Sequence, residues 1–176
     1  MLDAAVGVDI ALLDPEARPN LDHLELLVPE DHDHSAGGVL KRGVGDGEFS
    51  ARTSSGIIYA MEAPVGMGGH GKVPNPIQYL VGSLGGCVGV KILLALSDNG
   101  IVPQELTIGI HGTRKKTMPA FFDHVHLTIT LRADADDAMV RAIIEQTLTR
   151  LCPIAAMFAE VGEVTAEHRI VRNLSG

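Results

Sequence analysis

The stretch Asn75-Pro76-Ile77-Gln78-Tyr79-Leu80-Val81-Gly82-Ser83-Leu84-Gly85-Gly86-Cys87-Val88-Gly89-Val90-Lys91-Ile92-Leu93-Leu94-Ala95-Leu96 is the longest apolar run in the chain and holds one of its 2 cysteines. Asn75 is a capping residue by type, and Pro76 fits the first helical position, where a missing N–H is harmless. Asp98-Asn99-Gly100 stops the pattern, so the run predicts one long buried helix. At about 100° per residue Gly82, Gly85, Gly86 and Gly89 fall on one stripe that admits a closely approaching backbone, while Cys87 lies about 140° away from Gly82. Four interior glycines cost about 4 kcal/mol of helix propensity against alanine, which close packing has to offset. The run is also long enough to cross a bilayer, but Lys91 at that depth costs about 2.5–3.5 kcal/mol, and no second span or aromatic belt accompanies it. A core helix is expected, with no membrane partner.

With 176 residues, 45% of them hydrophobic, the chain suffices for one compact domain with a sizeable core. Its 14 Lys and Arg against 22 Asp and Glu, a net charge of −8 and only 3% aromatic residues leave out the basic field and the stacking platforms of nucleic-acid binding. Met1 to Pro15 carries Asp3 and Asp9 and neither Lys nor Arg, so no secretory leader is expected, and the cytoplasm is the expected compartment. In a reducing compartment, two cysteines 65 positions apart without CxxC spacing are catalytic or inert sooner than a structural disulfide.

Residues 1–37 read as an acidic, Pro-punctuated extension, and residues 38–176 as the domain proper. Asp31-His32-Asp33-His34 in the extension is a weak metal pattern without a further ligand at the right spacing, so a solvated loop is expected there. From Gly38 the pattern turns to a β-meander: Val39 to Arg42, Glu48 to Thr53 and Ile57 to Met61, with turns at Gly45-Asp46-Gly47 and Ser54-Ser55-Gly56. Pro64 to Pro74, with Gly66, Gly68, Gly69 and Gly71, lacks the GxxxxGK[ST] pattern and reads as a flexible connector into the long helix. Two alternating strands follow, Glu105 to Arg114 and Asp123 to Leu131. The second puts Val125, Leu127, Ile129 and Leu131 on one face, and His124 and His126 on the wetter one without an identifiable third metal ligand. Asp136-Asp137 opens an amphipathic helix that ends at Cys152-Pro153, Pro153 starts a short helix, and Val164 to Arg172 is a last strand. Strands and helices in this order predict an α+β fold with antiparallel or mixed sheets on long helices.

For the cysteines, physics alone leaves two readings open. Cys87 sees apolar walls and Lys91 one turn away; burial makes such a thiol inert, and a close cation makes it a nucleophile. Cys152 precedes a Pro-initiated helix whose free N–H groups favour a thiolate. The pair is either redox-active or two buried structural thiols.

Lys41-Arg42-Gly43 in the first hairpin, the glycine loop into Asn75-Pro76, Gly86-Cys87 within the long helix, Pro119-Ala120-Phe121-Phe122 and Cys152-Pro153 together resemble the OsmC/Ohr family of thiol-dependent organic hydroperoxide reductases. The resemblance spans about Gly38 to Arg172. It implies an intertwined homodimer with two long central helices and an active site at the subunit interface. It also implies that Cys87 attacks the peroxide as a thiolate and becomes a sulfenic acid. Cys152 then resolves this to a disulfide that an external dithiol or lipoyl-type reductant opens, with no resident cofactor or metal. Arg42 matches the family's thiolate-activating arginine, with Arg52 as the second candidate; Ile77, Leu84 and Lys91 are the expected substrate-binding positions. One departure stands out. Active members of the family usually carry glutamate at the position of Ile77 to hold the arginine, and isoleucine accepts no hydrogen bond; Glu62 is the candidate substitute. The expected function is a peroxidase acting on organic or fatty-acyl hydroperoxides, the alternative a relative with little peroxidase activity that senses redox state or binds small molecules.

Overall fold

The computed structural model describes residues 5–11, 38–42 and 47–172. The Asp31–His34 pattern and the turn at Gly45-Asp46 lie outside them. The chain folds as two compact units: one holds the strands between residues 38 and 62 and the first turn of the long helix up to Leu80, the other holds residues 5–11 and everything described from Val81 on.

In the first unit β2 (Gly38–Arg42), β3 (Glu48–Thr53) and β4 (Ile58–Glu62) form an antiparallel three-stranded meander, as its alternation and turn residues predict. Gly56 sits at φ 89° in the β3–β4 turn, where only glycine is unstrained, and Thr53 N–H donates to Ile57 O at 2.8 Å to close it. Beyond β4 the connector is not the flexible loop its glycines suggest. Glu62 is buried and accepts from the backbone N–H groups of His70 at 2.7 Å, Lys72, and Val73 at 3.1 Å. These bonds, His70 first, hold its carboxyl below the usual carboxylate range. At Gly69 the loop passes so close to β4 that an added Cβ would lie 1.7 Å from Ala63 O. This concave row of N–H groups, which in other proteins receives a phosphate, is filled here by the chain's own carboxylate.

In the second unit β1 (Ala5–Ala11), β5 (Glu105–Arg114), β6 (Phe122–Arg132) and β7 (Glu163–Val171) make one sheet in that order, antiparallel except between β6 and β7. The mixed sheet and the α+β class agree with the sequence. β1 was not expected; its Val6-Gly7-Val8-Asp9-Ile10 alternation is outweighed in the sequence by the acidic, Pro-rich residues around it. Leu106, Ile108 and Ile110 of β5 and Val125, Leu127, Ile129 and Leu131 of β6 are buried. So are Val81, Leu84, Gly85, Val88, Gly89, Ile92 and Leu96 of α1 (Pro76–Asp98), a stripe at i, i+3 and i+4 spacing. Each such aliphatic side chain contributes about 1.5–3 kcal/mol on burial. Ile108 Cδ1 faces Gly89, where an added Cβ would lie 3.4 Å from it, whereas Gly86 on the same glycine stripe has open space beside it.

α2 (Asp137–Gln146) is capped by Asp136, whose side chain accepts from Met139 N–H at 3.0 Å, and Asp137 pairs with Arg141 at 3.3 Å as its i,i+4 spacing predicts. Asp137 also accepts from His168 Nε2 of β7 at 3.0 Å, which pins the helix start to the sheet. The sequence predicts this helix to run on to Leu151; instead it widens at Thr147–Leu151 into a π turn before α3 (Pro153–Ala159). On the other face of the sheet His124 and His126 both share Thr165 Oγ1, at 3.2 and 2.8 Å.

Candidate active site

Both cysteines are positioned by a helix start that carries proline. At α1, Asn75 Oδ1 accepts from Ile77 N–H at 2.9 Å and Gln78 N–H at 3.0 Å, and Gln78 Oε1 accepts from Asn75 N–H at 2.9 Å. This reciprocal box fixes where the helix begins. Cys87 then falls, half-buried, between the fully buried Leu84 and Val88. At α3, Cys152 is itself the cap: its Sγ accepts from Ala155 N–H at 3.3 Å and Pro153 takes the first helical position. The π turn reaches it through the bond from Cys152 N–H to Thr147 O, 3.0 Å.

The two thiols are free, and Cys152 donates to Cys87 with the sulfurs 2.7 Å apart, although 65 positions separate them in sequence. The expected convergence of the pair is therefore observed. At Cys152 the free N–H groups of α3, which favour a thiolate, are outweighed. Burial, with the Cys87 hydrogen bond adding to it, pushes the Cys152 thiol up to about 11, against the opposing N–H of Ala155. Only 2% of the residue is exposed, so loss of water outweighs the helix start and favours the thiol form of Cys152.

Among the other predicted positions, Leu84 lies wholly in the core, Lys91 is half-buried one turn beyond Cys87, and Ile77 is half-buried in the first turn of α1. Arg52 is exposed and sits in register between Val39 and Ile58. The backbone of Arg42 pairs with Phe49, and its side chain lies outside the described residues. Glu62 has both carboxylate oxygens engaged by the loop before α1, so it is not free to stand in for the absent glutamate. Three contributors escaped the sequence reading. Gln78 was legible as the partner of a capping box three residues after Asn75, and the loop-holding role of Glu62 and the buried Thr147 carry no sequence signal.

The arrangement suits two-electron thiol chemistry: a half-buried cysteine to meet an incoming oxidant and a buried thiol beside it to form a disulfide. The model of the OsmC-like protein family matches residues 69–167, more than half of the chain and both cysteines. Among solved structures, the chain is similar to a hypothetical protein from Aquifex aeolicus (16% identity, 79% of this chain and 98% of that one, TM-score 0.69). It is also similar to an OsmC-like protein from Mycoplasma pneumoniae (15%, 80% and 99%, TM-score 0.65). A third is an organic hydroperoxide resistance protein from Elizabethkingia anophelis (15%, 81% and 99%, TM-score 0.57). Identities this low speak for the fold alone, and no curated protein matches the chain. With the family model running from the glycine loop through α3, this chain belongs to the OsmC-like family.

Proposed function

We propose that this chain is a thiol-dependent peroxidase for organic hydroperoxides, fatty-acyl ones included. The carrying observation is the 2.7 Å approach of Cys87 and Cys152 as free thiols. Cys87, as thiolate, attacks the outer peroxide oxygen; the O–O bond breaks, the alcohol leaves with a proton, and Cys87 is a sulfenic acid. The sulfur of Cys152 displaces the sulfenic oxygen, its proton leaves with that oxygen as water, and the disulfide forms. An external dithiol or lipoyl-type reductant restores the pair by two exchanges, each releasing one thiol. Arg42 is assigned to stabilise the thiolate, and Ile77 and Lys91 to flank the substrate; Leu84, expected beside it, is at 0% exposure part of the core and does not line the site. No resident cofactor takes part. The family membership and the hydroperoxide resistance protein among the similar structures support a redox role of this kind. The compartment proposed for it is the cytoplasm.

The working unit is a homodimer. Only 39% of the most apolar 18-residue window of α1 is buried within the chain, with Leu80 and Val90 exposed by 42% and 56%. An apolar strip of this kind is covered by a second copy. Light scattering is expected to give twice the 18.6 kDa of one chain, and a monomer at micromolar concentration removes the dimer.

The test of the chemistry is thiol titration before and after one equivalent of cumene hydroperoxide. Two thiols lost per chain, restored by a dithiol, are expected, with no loss in Cys87→Ser. A chain that keeps both thiols is no peroxidase. A second reading, redox sensing with little turnover, is favoured by Ile77 and by the engagement of Glu62; it predicts the same loss of thiols, only slowly.

A further inference from the structure

Cys152 is delivered by a turn that differs from an α-helix. At Thr147–Leu151 the backbone forms a π turn, closed by the bond from Cys152 N–H to Thr147 O at 3.0 Å. Such a turn carries one residue more than an α turn, and by passing that residue on it shifts whatever follows. Thr147 is fully buried, at 0% exposure, and its Oγ1 has no hydrogen-bond partner among the described residues. Its backbone N–H is shared between the carbonyls of Ile143 and Ile144. Two residues on, Thr149 Oγ1 donates to Glu145 O at 2.8 Å, the i−4 back-bond open to a helical threonine. Thr147 thus lacks the bond that Thr149 makes, in a place that water does not reach. An unpaired buried hydroxyl weighs against its conformation by about tenfold or more, and therefore favours any state of the turn that pairs it.

We infer that Thr147 is a positioning residue for the cysteine pair: its hydroxyl is unpaired in the dithiol form and bonds the Ile143 carbonyl when the π turn shifts on formation of the Cys87–Cys152 disulfide. The inference rests on the proposed function only in requiring that this disulfide forms. In that step the two thiols give up two protons and two electrons to an oxidant, here oxidised dithiothreitol, which leaves as its dithiol, and one S–S bond forms. Thr147 changes none of these bonds. It sets the balance between the two forms.

The full chain and Thr147→Val, Thr147→Ser and Thr147→Ala are equilibrated with dithiothreitol redox buffers, and the disulfide fraction is read by thiol trapping. Thr and Val differ by the hydroxyl at equal shape, as Ser and Ala do with the methyl absent, so either pair suffices if one variant fails to fold. Loss of the hydroxyl is expected to shift the equilibrium about tenfold toward the dithiol, about 30 mV. Thr147→Val is expected to melt higher than the wild type in the dithiol form and not in the disulfide form. A shift below twofold with both forms changed equally, or a shift toward the disulfide, overturns the inference. So does a wild-type chain that forms no disulfide at all. A chain that forms it with oxidised dithiothreitol but ignores hydroperoxide refutes the peroxidase instead.

Discussion

The chain starts two helices with a cap followed by proline, and it builds the two starts differently. At Asn75-Pro76 an amide oxygen holds two N–H groups at 2.9 and 3.0 Å, Gln78 returns a bond, and Glu62 fastens the preceding loop. At Cys152-Pro153 a sulfur, a weaker acceptor, holds one N–H at 3.3 Å, and the preceding turn leaves a buried hydroxyl unpaired. The first start satisfies its polar groups and fixes the register of the long helix. The second gives up cap strength to keep a thiol against Cys87. Stability and reactivity are thus assigned to different helix ends, and substitutions at each separate the two.

The largest effect is expected from Cys152→Ser. Serine is among the preferred caps, so the start of α3 gains acceptor strength while the site loses its second sulfur. Thermal stability of the reduced chain should stay within about 1 kcal/mol, the better cap offsetting lost apolar burial. Disulfide formation should vanish, and a trapping reagent should find a long-lived Cys87 sulfenic acid after hydroperoxide. A variant unfolded at room temperature would show that the sulfur is structural and would erase the contrast between the two caps.

Next comes Glu62→Gln, which sets an amide N–H₂ or a single carbonyl against three backbone donors. Its thermal destabilisation should exceed that of Asn75→Ala, since three N–H partners are disturbed against two. The pH dependence has a definite sign. The carboxyl is held below its ordinary value of 4.5, so its contribution is present above that pH and is lost as pH falls through the folded value. Acid unfolding monitored by circular dichroism should be less steep below pH 4.5 in the variant. An identical acid transition would place the stabilising charge elsewhere.

The contrast also explains what was legible in the sequence. Asn-Pro is local chemistry, and so are the strand alternation of β5 and β6 and the Asp136 cap; each was read close to its observed bounds, while the return bond from Gln78 was legible and missed. Cys152-Pro153 was legible as a helix start, but the protonation of its thiol was not, because it depends on burial supplied by residues distant in sequence. The π turn was unreadable for the same reason: Thr-Leu-Thr-Arg-Leu continues the apolar period of α2, and nothing local marks the extra residue. Glu62 looked like a spare carboxylate, since its three partners are backbone groups that leave no trace in side-chain identity.

A smaller effect is expected from Asn75→Ala, about 1–2 kcal/mol, through loss of the cap and of the return bond from Gln78. Chemical denaturation measures it. Because Asn75 holds only backbone N–H groups and the substitution adds no charge beside the thiolate, the rate of thiol loss with hydroperoxide should be unchanged. A rate that falls in step with stability would mean that the first cap also serves the reaction.

The smallest change in stability, and the sharpest reading of the site, is expected from Ile77→Glu. Position 77 lies in the first turn of α1, where a carboxylate gains about 0.3–1 kcal/mol from the helix dipole. Against this stands the lost burial of a half-exposed isoleucine, about 1 kcal/mol, so the two nearly cancel. A change in reactivity then reports on the partner of the new carboxylate and not on the fold. If Arg42 serves Cys87, the glutamate restores its tether, holds the guanidinium in place and should raise the rate of Cys87 oxidation by an organic hydroperoxide several-fold. With no arginine in reach, the added negative charge disfavours the thiolate, and the rate should fall. Stopped-flow oxidation of the variant and of its double mutant with Arg42→Ala distinguishes the cases. A gain that disappears in the double mutant assigns Arg42, and a gain that survives it moves the assignment to Arg52. A slower variant of unchanged stability removes both arginines from the site and leaves the chain to the redox-sensing reading.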